Sequence, residues 1–300
     1  MELRQSEVHV VMNKTFLTSR ELGMILGVSE SSVKRWVDQG LVPASRTAGG
    51  HRRISLADAV SYVRENRVPV LNAGMLGFTE AETLRPDLLD EVQLEERLYH
   101  ALERGDAVTA YAMIHGPFLA GRPLTWIFDN PVRRCMHRLG ELWRIRSDGI
   151  MIEHRATDIC VQAVMRLRSI LELPQNTPVA LGGAAPADLY LLAPLMASTV
   201  LREAGMQDVN LGPDTPITAI REAVKANRPR VVWYSFSCPD SSRELEHELP
   251  DLAADLATMN IPIIIGGREL GNLKHLRHRN IYIGQSMTEL VTLTRGLLAS

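Results

Sequence analysis

Apolar and polar positions along the 300-residue chain fall into three regimes, each predicting a different kind of element. Residues 14 to about 66 hold short helical patterns around a Gly-rich basic turn. Phe16-Leu17-Thr18-Ser19-Arg20-Glu21-Leu22 opens a helix, with Thr18 placed to cap it and Glu21 three positions on to complete a capping box. That helix is expected to end near Gly27, and the run from Val28 and Ser29 to Trp36 begins a second. Residues 67–87 carry Pro69, Gly74, Gly77 and Pro86 with little periodicity, which reads as a linker. From 88 to 173 apolar residues recur at three- and four-residue spacing (Leu88, Val92, Leu94, Leu98, Leu102). Breaks at Gly105-Asp106, Gly116-Pro117 and Ser147-Asp148-Gly149 suit a four-helix bundle with short connections.

Over residues 178–300 the period shortens. The apolar runs at Val179–Leu181, Asp208–Leu211, Val231–Ser235, Ile261–Ile265 and Ile281–Ile283 alternate with amphipathic helices, for example around 191–203 and 245–258. Five such runs with helices between them predict an open parallel sheet covered on both faces, a flavodoxin-like (Rossmann-type) α/β domain. The expected fold class is therefore multi-domain, α plus α/β.

Composition narrows the picture mainly by what it withholds. Net charge is -2, so any affinity for nucleic acid must be local. Cys135, Cys160 and Cys238 form no close pair, which argues against a disulfide scaffold or thiolate zinc site and for a reducing cytoplasm. No apolar run approaches the ~20 residues that cross a bilayer, and the first residues lack a signal-peptide core, so a soluble cytoplasmic protein with no membrane partner is expected. There is no GxGxxG, P-loop or HExxH, and His275 and His278 read as solvated. No catalytic constellation is found, so an enzyme is not expected.

Helix, tight Gly turn and Ser-capped second helix is the helix-turn-helix plan. Its second helix, laid in a major groove, brings Ser31, Ser32, Lys34 and Arg35 to bases and phosphates, with Val33 and Trp36 facing inward. Arg46-Thr47-Ala48-Gly49-Gly50-His51-Arg52-Arg53 follows, a hairpin tip dense in cations that suits a wing gripping phosphates. A basic turn alone is usually just solvated; here it stands directly behind a helix-turn-helix.

Residues 14–66 closely resemble the MerR-type winged helix-turn-helix, in which Arg-Thr-x-Gly-Gly-His-Arg-Arg forms the wing. The resemblance implies double-stranded promoter DNA as partner, contacts from Arg35, Arg46, His51, Arg52 and Arg53, and a helix at 56–65 packed behind the wing. Farther along, Trp143 followed ten positions later by Glu153-His154 resembles the helical bundle of the CarH/LitR light-dependent regulators, where this set caps a cobalamin. The last segment is also similar to theirs. Small residues end its strands, at Ser235-Phe236-Ser237 and Gly266-Gly267, as a bulky ligand's tail would need to reach the backbone.

The pattern breaks where cobalt would be held. The family's Glu-x-x-Asp-x-His-x-x-Gly is here Ala185 to Ala193, keeping Asp188 but placing Tyr190 at the His position, and Arg144 stands where light-sensing relatives carry a second His. A neutral imidazole is a good cobalt donor, whereas a phenol is a poor one unless ionised.

Three readings stay open: a ligand domain kept as an oligomerisation or protein-contact surface, a cobalamin site without axial His, or a site for another tetrapyrrole. A corrinoid-carrier module of a methyltransferase is the rival from another class. A homo-oligomer, dimer or tetramer, is expected, since one module reads only a half-site. Binding is expected to repress by blocking RNA polymerase, or else to realign it.

Overall fold

A computed structural model of the chain describes residues 15–84, 89–270, 273 and 278–299. Pro86, Leu88 and His275 lie outside these residues. The described residues fall into two compact units, one running through residue 84 and including His115–Gly121, the other containing Leu89–Ile114 and the chain from Arg122 onward.

The first unit begins with β1 (Phe16–Leu17), α1 (Ser19–Leu26) and α2 (Glu30–Asp38). The Thr18–Glu21 capping box forms at the start of α1, and the left-handed Gly27 (φ 67°) ends it, a conformation that costs glycine least. Ser29 then caps α2, its Oγ accepting from Ser32 N at 3.2 Å. β2 (Ser45–Arg46) and β3 (Arg52–Ser55) form an antiparallel hairpin, and β1 pairs the other edge of β3. α3 (Leu56–Asn66) follows, and Leu22, Ile25, Val33, Ile54, Val60 and Val63 make the shared core.

Residues 73–84 depart from the linker expectation. A short 3-10 turn at Ala73–Leu76 and α4 (Thr79–Leu84) bury Ala73, Leu76, Phe78 and Ala81. Leu71 N donates to Ile25 O at 2.8 Å and Asn72 Nδ2 to Met24 O at 2.6 Å, so the segment is stitched to α1. Phe78 also meets His115 edge-on, and His115 Nδ1 lies 2.7 Å from Glu80 Oε1 in a fully enclosed pair. Gly and Pro punctuation hid an apolar set too short to show a period.

The second unit joins a helical layer to a sheet. α5 (Glu91–Arg104), the first half of α6 (Ala107–Leu119), α7 (Leu124–Ile127), α8 (Arg133–Gly140) and α9 (Gly149–Arg168) make the layer. A π-type turn at Phe128–Val132 links α7 to α8 around Pro131, which has no N–H to donate.

The sheet holds β4 (Val179–Ala184), β5 (Gln207–Asn210), β6 (Val231–Ser235), β7 (Ile263–Gly266) and β8 (Ile281–Gly284). All neighbours are parallel in the order β5-β4-β6-β7-β8, with the switch point at β4 and β6. α10 (Leu192–Glu203), α11 (Ile217–Asn227), α12 (Pro239–Thr258) and α13 (Met287–Ala299) connect or follow the strands.

Layer and sheet interlock through polar bolts. Asp129 accepts from Met287 N at 2.7 Å and Thr288 N at 2.9 Å, so a π-turn carboxylate caps α13. Leu124 N donates to Glu203 Oε2 at 2.9 Å, and Arg168 pairs with the enclosed carboxylate of Asp208.

Candidate functional site

The first unit presents α2 beside the β2–β3 hairpin. Ser31, Lys34 and Arg35 stand exposed on α2, while Val33 is buried and Trp36 stacks against Tyr62 of α3 at 5.3 Å between ring centroids. The exposed face is therefore polar and cationic because the apolar one is spent on holding the helix. Ser29 Oγ gathers the hydroxyls of Ser31 and Ser32 at 2.8 and 2.9 Å, and Lys34 pairs with Glu30 at 2.7 Å. Arg35 has no carboxylate partner among the described residues.

In the hairpin, Thr47 N donates to His51 O at 3.0 Å, and Gly50 (φ 76°) makes the reversal. Arg46 and His51 are exposed at the tip. Arg52 and Arg53 are differently placed. Arg52 keeps only 18% of its side chain exposed and clasps Asp38 of α2, and Arg53 lies over the Phe16 ring at 4.3 Å. The Arg52 hydrogen bond holds the Asp38 carboxyl below its usual range. Arg52 thus fastens the hairpin to α2, a role its position in a basic run could not disclose.

In the second unit a cleft of about 530 Å³ opens between the carboxyl ends of the strands and helices α8 and α9. Open α/β sheets bind ligands at this edge, where the strand order reverses. Glu153, Tyr190, Ser235, Gly266 and Gly267, all singled out in the sequence, line it. Asp188 sits beneath, fully buried, accepting from Ser237 N at 2.6 Å and Tyr190 N at 3.1 Å. Burial pushes its carboxyl above the usual range, and the two N–H donors pull the other way. Asp188 therefore fixes the turn that carries Tyr190. Trp143 and His154 are not brought to the cleft; Trp143 is 58% exposed with Arg144 over its ring, and the His154 side chain is 76% exposed.

Sequence reading missed Asp129, Arg133, His137 and Trp233, which also line the cleft. The first three follow or flank Pro131, and a proline inside a helical pattern was the available signal.

The strand-end glycines turn out to serve the chain itself. A Cβ on Gly182 would run into the Trp233 carbonyl and indole, one on Gly266 into the Gly284 carbonyl, and one on Gly267 into the Phe236 backbone. Close packing within the chain already requires glycine at these positions, whatever the cleft holds.

Residues 16–67 match the family described as a helix-turn-helix domain. No curated protein matches the chain. Among solved structures, the monomethylamine corrinoid protein of Methanosarcina barkeri is similar, with 17% identity, a TM-score of 0.53, and coverage of 70% of this chain and 100% of that one. The methanol:cobalamin methyltransferase complex of the same organism matches at 16% identity and TM-score 0.35 over 74% of this chain and 84% of that one. A cobalamin-binding protein from Desulfitobacterium hafniense matches at 16% and 0.34 over 69% and 98%. The chain thus carries a helix-turn-helix domain at its amino-terminal end and a parallel-sheet α/β domain with the fold of the corrinoid protein. Among the described residues no helix is long and apolar enough to cross a membrane, and no group of His, Cys, Asp and Glu is arranged to hold a metal ion.

Proposed function

We propose that the protein is a sequence-specific, DNA-binding transcription regulator of MerR type, with its second unit as the effector and assembly module. The observation that carries this reading is the joint presentation of α2 and the β2–β3 hairpin, locked together by Asp38 and Arg52. α2 enters the major groove with Arg35 and Lys34, Ser31 and Ser32 lie at its start, and Arg46 and His51 at the hairpin tip meet phosphates. Arg53, held over Phe16, borders the same surface. One module covers a half-site only, so the regulator works as a homo-oligomer, a dimer or tetramer, and represses by occluding RNA polymerase.

The site does not fit a cobalamin held as the CarH/LitR resemblance implies. Tyr190 stands on the loop where the imidazole belongs, Trp143 and His154 are exposed and do not line the cleft, and the Trp233 indole lies against Gly182. With Tyr190 and Arg144 at the two His positions of that resemblance, we assign the chain no cobalt-to-His light switching. The likeness to a corrinoid carrier concerns the fold, and a carrier has no use for a DNA-reading module.

Fluorescence anisotropy of the full chain with the duplex upstream of its own gene tests the proposal. Binding that survives excess random competitor is expected. Binding abolished equally by specific and random competitor would favour the carrier reading.

A further inference from the structure

Trp143 and His154, which do not line the cleft, belong to a different surface of the second unit. The connection from α8 to α9 exposes four large apolar side chains: Trp143 at 58%, Ile145 at 80%, Ile150 at 60% and Met151 at 52%. Single exposed apolar residues are ordinary, but a group of them on one turn marks a contact site.

Hydrogen bonds hold this turn in one shape. Ile145 N donates to Leu142 O at 3.0 Å, Arg146 N to the same oxygen at 2.8 Å, and Gly149 N to Arg146 O at 3.2 Å. Leu142 is buried, and α9 begins so close to the Trp143 backbone that a Cβ on Gly149 would run into it. Ile150 and His154 stand four positions apart on α9 and so share a face, and the His154 side chain is 76% exposed. Apolar groups fixed before contact lose little freedom on being covered.

Charge narrows what covers them. Arg144 pairs with Glu141 at 2.6 Å, and Arg146 pairs with Asp148 at 2.9 Å and with Glu103 of α5 at 2.8 Å. Neither arginine is left over for phosphate, which disfavours a nucleic acid or an anionic lipid surface. Within the turn two cations meet two carboxylates, so a second copy brings no net repulsion. Size points the same way. The apolar surface exposed on these side chains is on the order of 400 Å², and a standard interface takes about 800 Å² from each partner. The patch is thus large enough to be the apolar core of such an interface, with the ion pairs as its polar rim.

We propose that the Trp143–Met151 turn is the surface through which two copies of the chain pair face to face about a two-fold axis. Ile145, the most exposed of the four, lies nearest that axis. A two-fold contact puts one patch against itself, so a side chain near the axis meets its own counterpart. The proposal rests on the reading of the second unit as the assembly module and names the surface that assembles.

Analytical ultracentrifugation of the full chain without DNA is the test. The wild-type chain is expected to sediment at micromolar concentration as a dimer or a multiple of one. Ile145→Asp and Ile145→Lys each set like charges across the axis and should weaken pairing at least about a hundredfold, halving the sedimenting mass. Circular dichroism and melting should stay unchanged, because the side chain is exposed. An equal mixture of the two variants should pair again, since Asp then faces Lys. Trp143→Ala, which introduces no charge, should weaken pairing about tenfold. A monomeric wild-type chain, variants that pair as tightly as wild type, or a mixture that stays apart would overturn the proposal; the last would mean that the patch meets a different surface or partner. Duplex selection on the wild-type chain keeps the two readings apart. Pairing through the turn without a selected motif would sink the regulator reading alone. A selected motif with a monomeric chain, or with pairing indifferent to these substitutions, would sink the surface alone.

Discussion

Asp38, the last residue of α2, accepts Arg52 Nη2 of β3 at 2.7 Å on Oδ1 and 2.8 Å on Oδ2, and Arg46 Nη2 approaches Oδ1 at 3.4 Å. One carboxylate thus ties α2 to the hairpin. Asp38→Asn removes no cation from the proposed DNA face, yet it should weaken promoter binding about twofold to fivefold, the scale of an exposed ion pair. Anisotropy at fixed salt checks this, and undiminished affinity would show that the clasp is idle. Because the Asp38 pKa is depressed in the fold, the clasp is intact above the usual carboxylate range and lost as pH falls through the folded-state value. Neutral pH therefore leaves it in place.

Arg35 is the exposed α2 cation without a carboxylate partner among the described residues, which makes it the candidate for base reading. Arg35→Ala should cost about tenfold on the preferred site and relax preference at one base position. His51→Ala at the hairpin tip should weaken all sequences alike. Competition against single-base variants of the operator separates the two patterns, and identical profiles would deny Arg35 a reading role.

Phe78 is buried against His115 and Phe118 in the first unit. Phe78→Ala should therefore destabilise that unit by about 3 kcal/mol, as large-to-small changes in a core do. Urea unfolding measures it. A change near zero would return residues 73–84 to the status of a linker.

The thiols should divide by burial. Burial pushes Cys135 up to about 12 and raises Cys160 further, so neither is a thiolate near neutral pH. Cys238 is only partly buried. Ellman's reagent on the native protein should find one faster thiol and two that react only on unfolding. Rapid reaction of all three would contradict the packing of α8 and α9.

Much of this architecture is written in the sequence because it rests on local rules. Thr18 with Glu21, Gly27 and Ser29 specify the ends of α1 and the start of α2 by chemistry within four residues. The central strands β4, β6 and β7 are buried on both faces, so their apolar character shows without a partner being known. Long-range pairings are what the sequence conceals. Arg52 reads as one more cation until Asp38 is seen 14 residues away, and Asp129 reads as a helix-surface acid until it caps α13. Gly266 and Gly267 read as room for a ligand, but the backbones they admit, at Gly284 and Phe236, belong to other segments of the chain. The same holds for Trp143 and His154, which do not line the cleft that their neighbour Glu153 lines.

Selection of duplexes from a random library by the full chain at physiological salt tests DNA reading most directly. Enrichment of a single short motif, as an inverted or direct repeat, with affinity at least about a thousandfold above random duplex, is the predicted outcome. A selected pool with no motif, bound no better than the starting library, would contradict it.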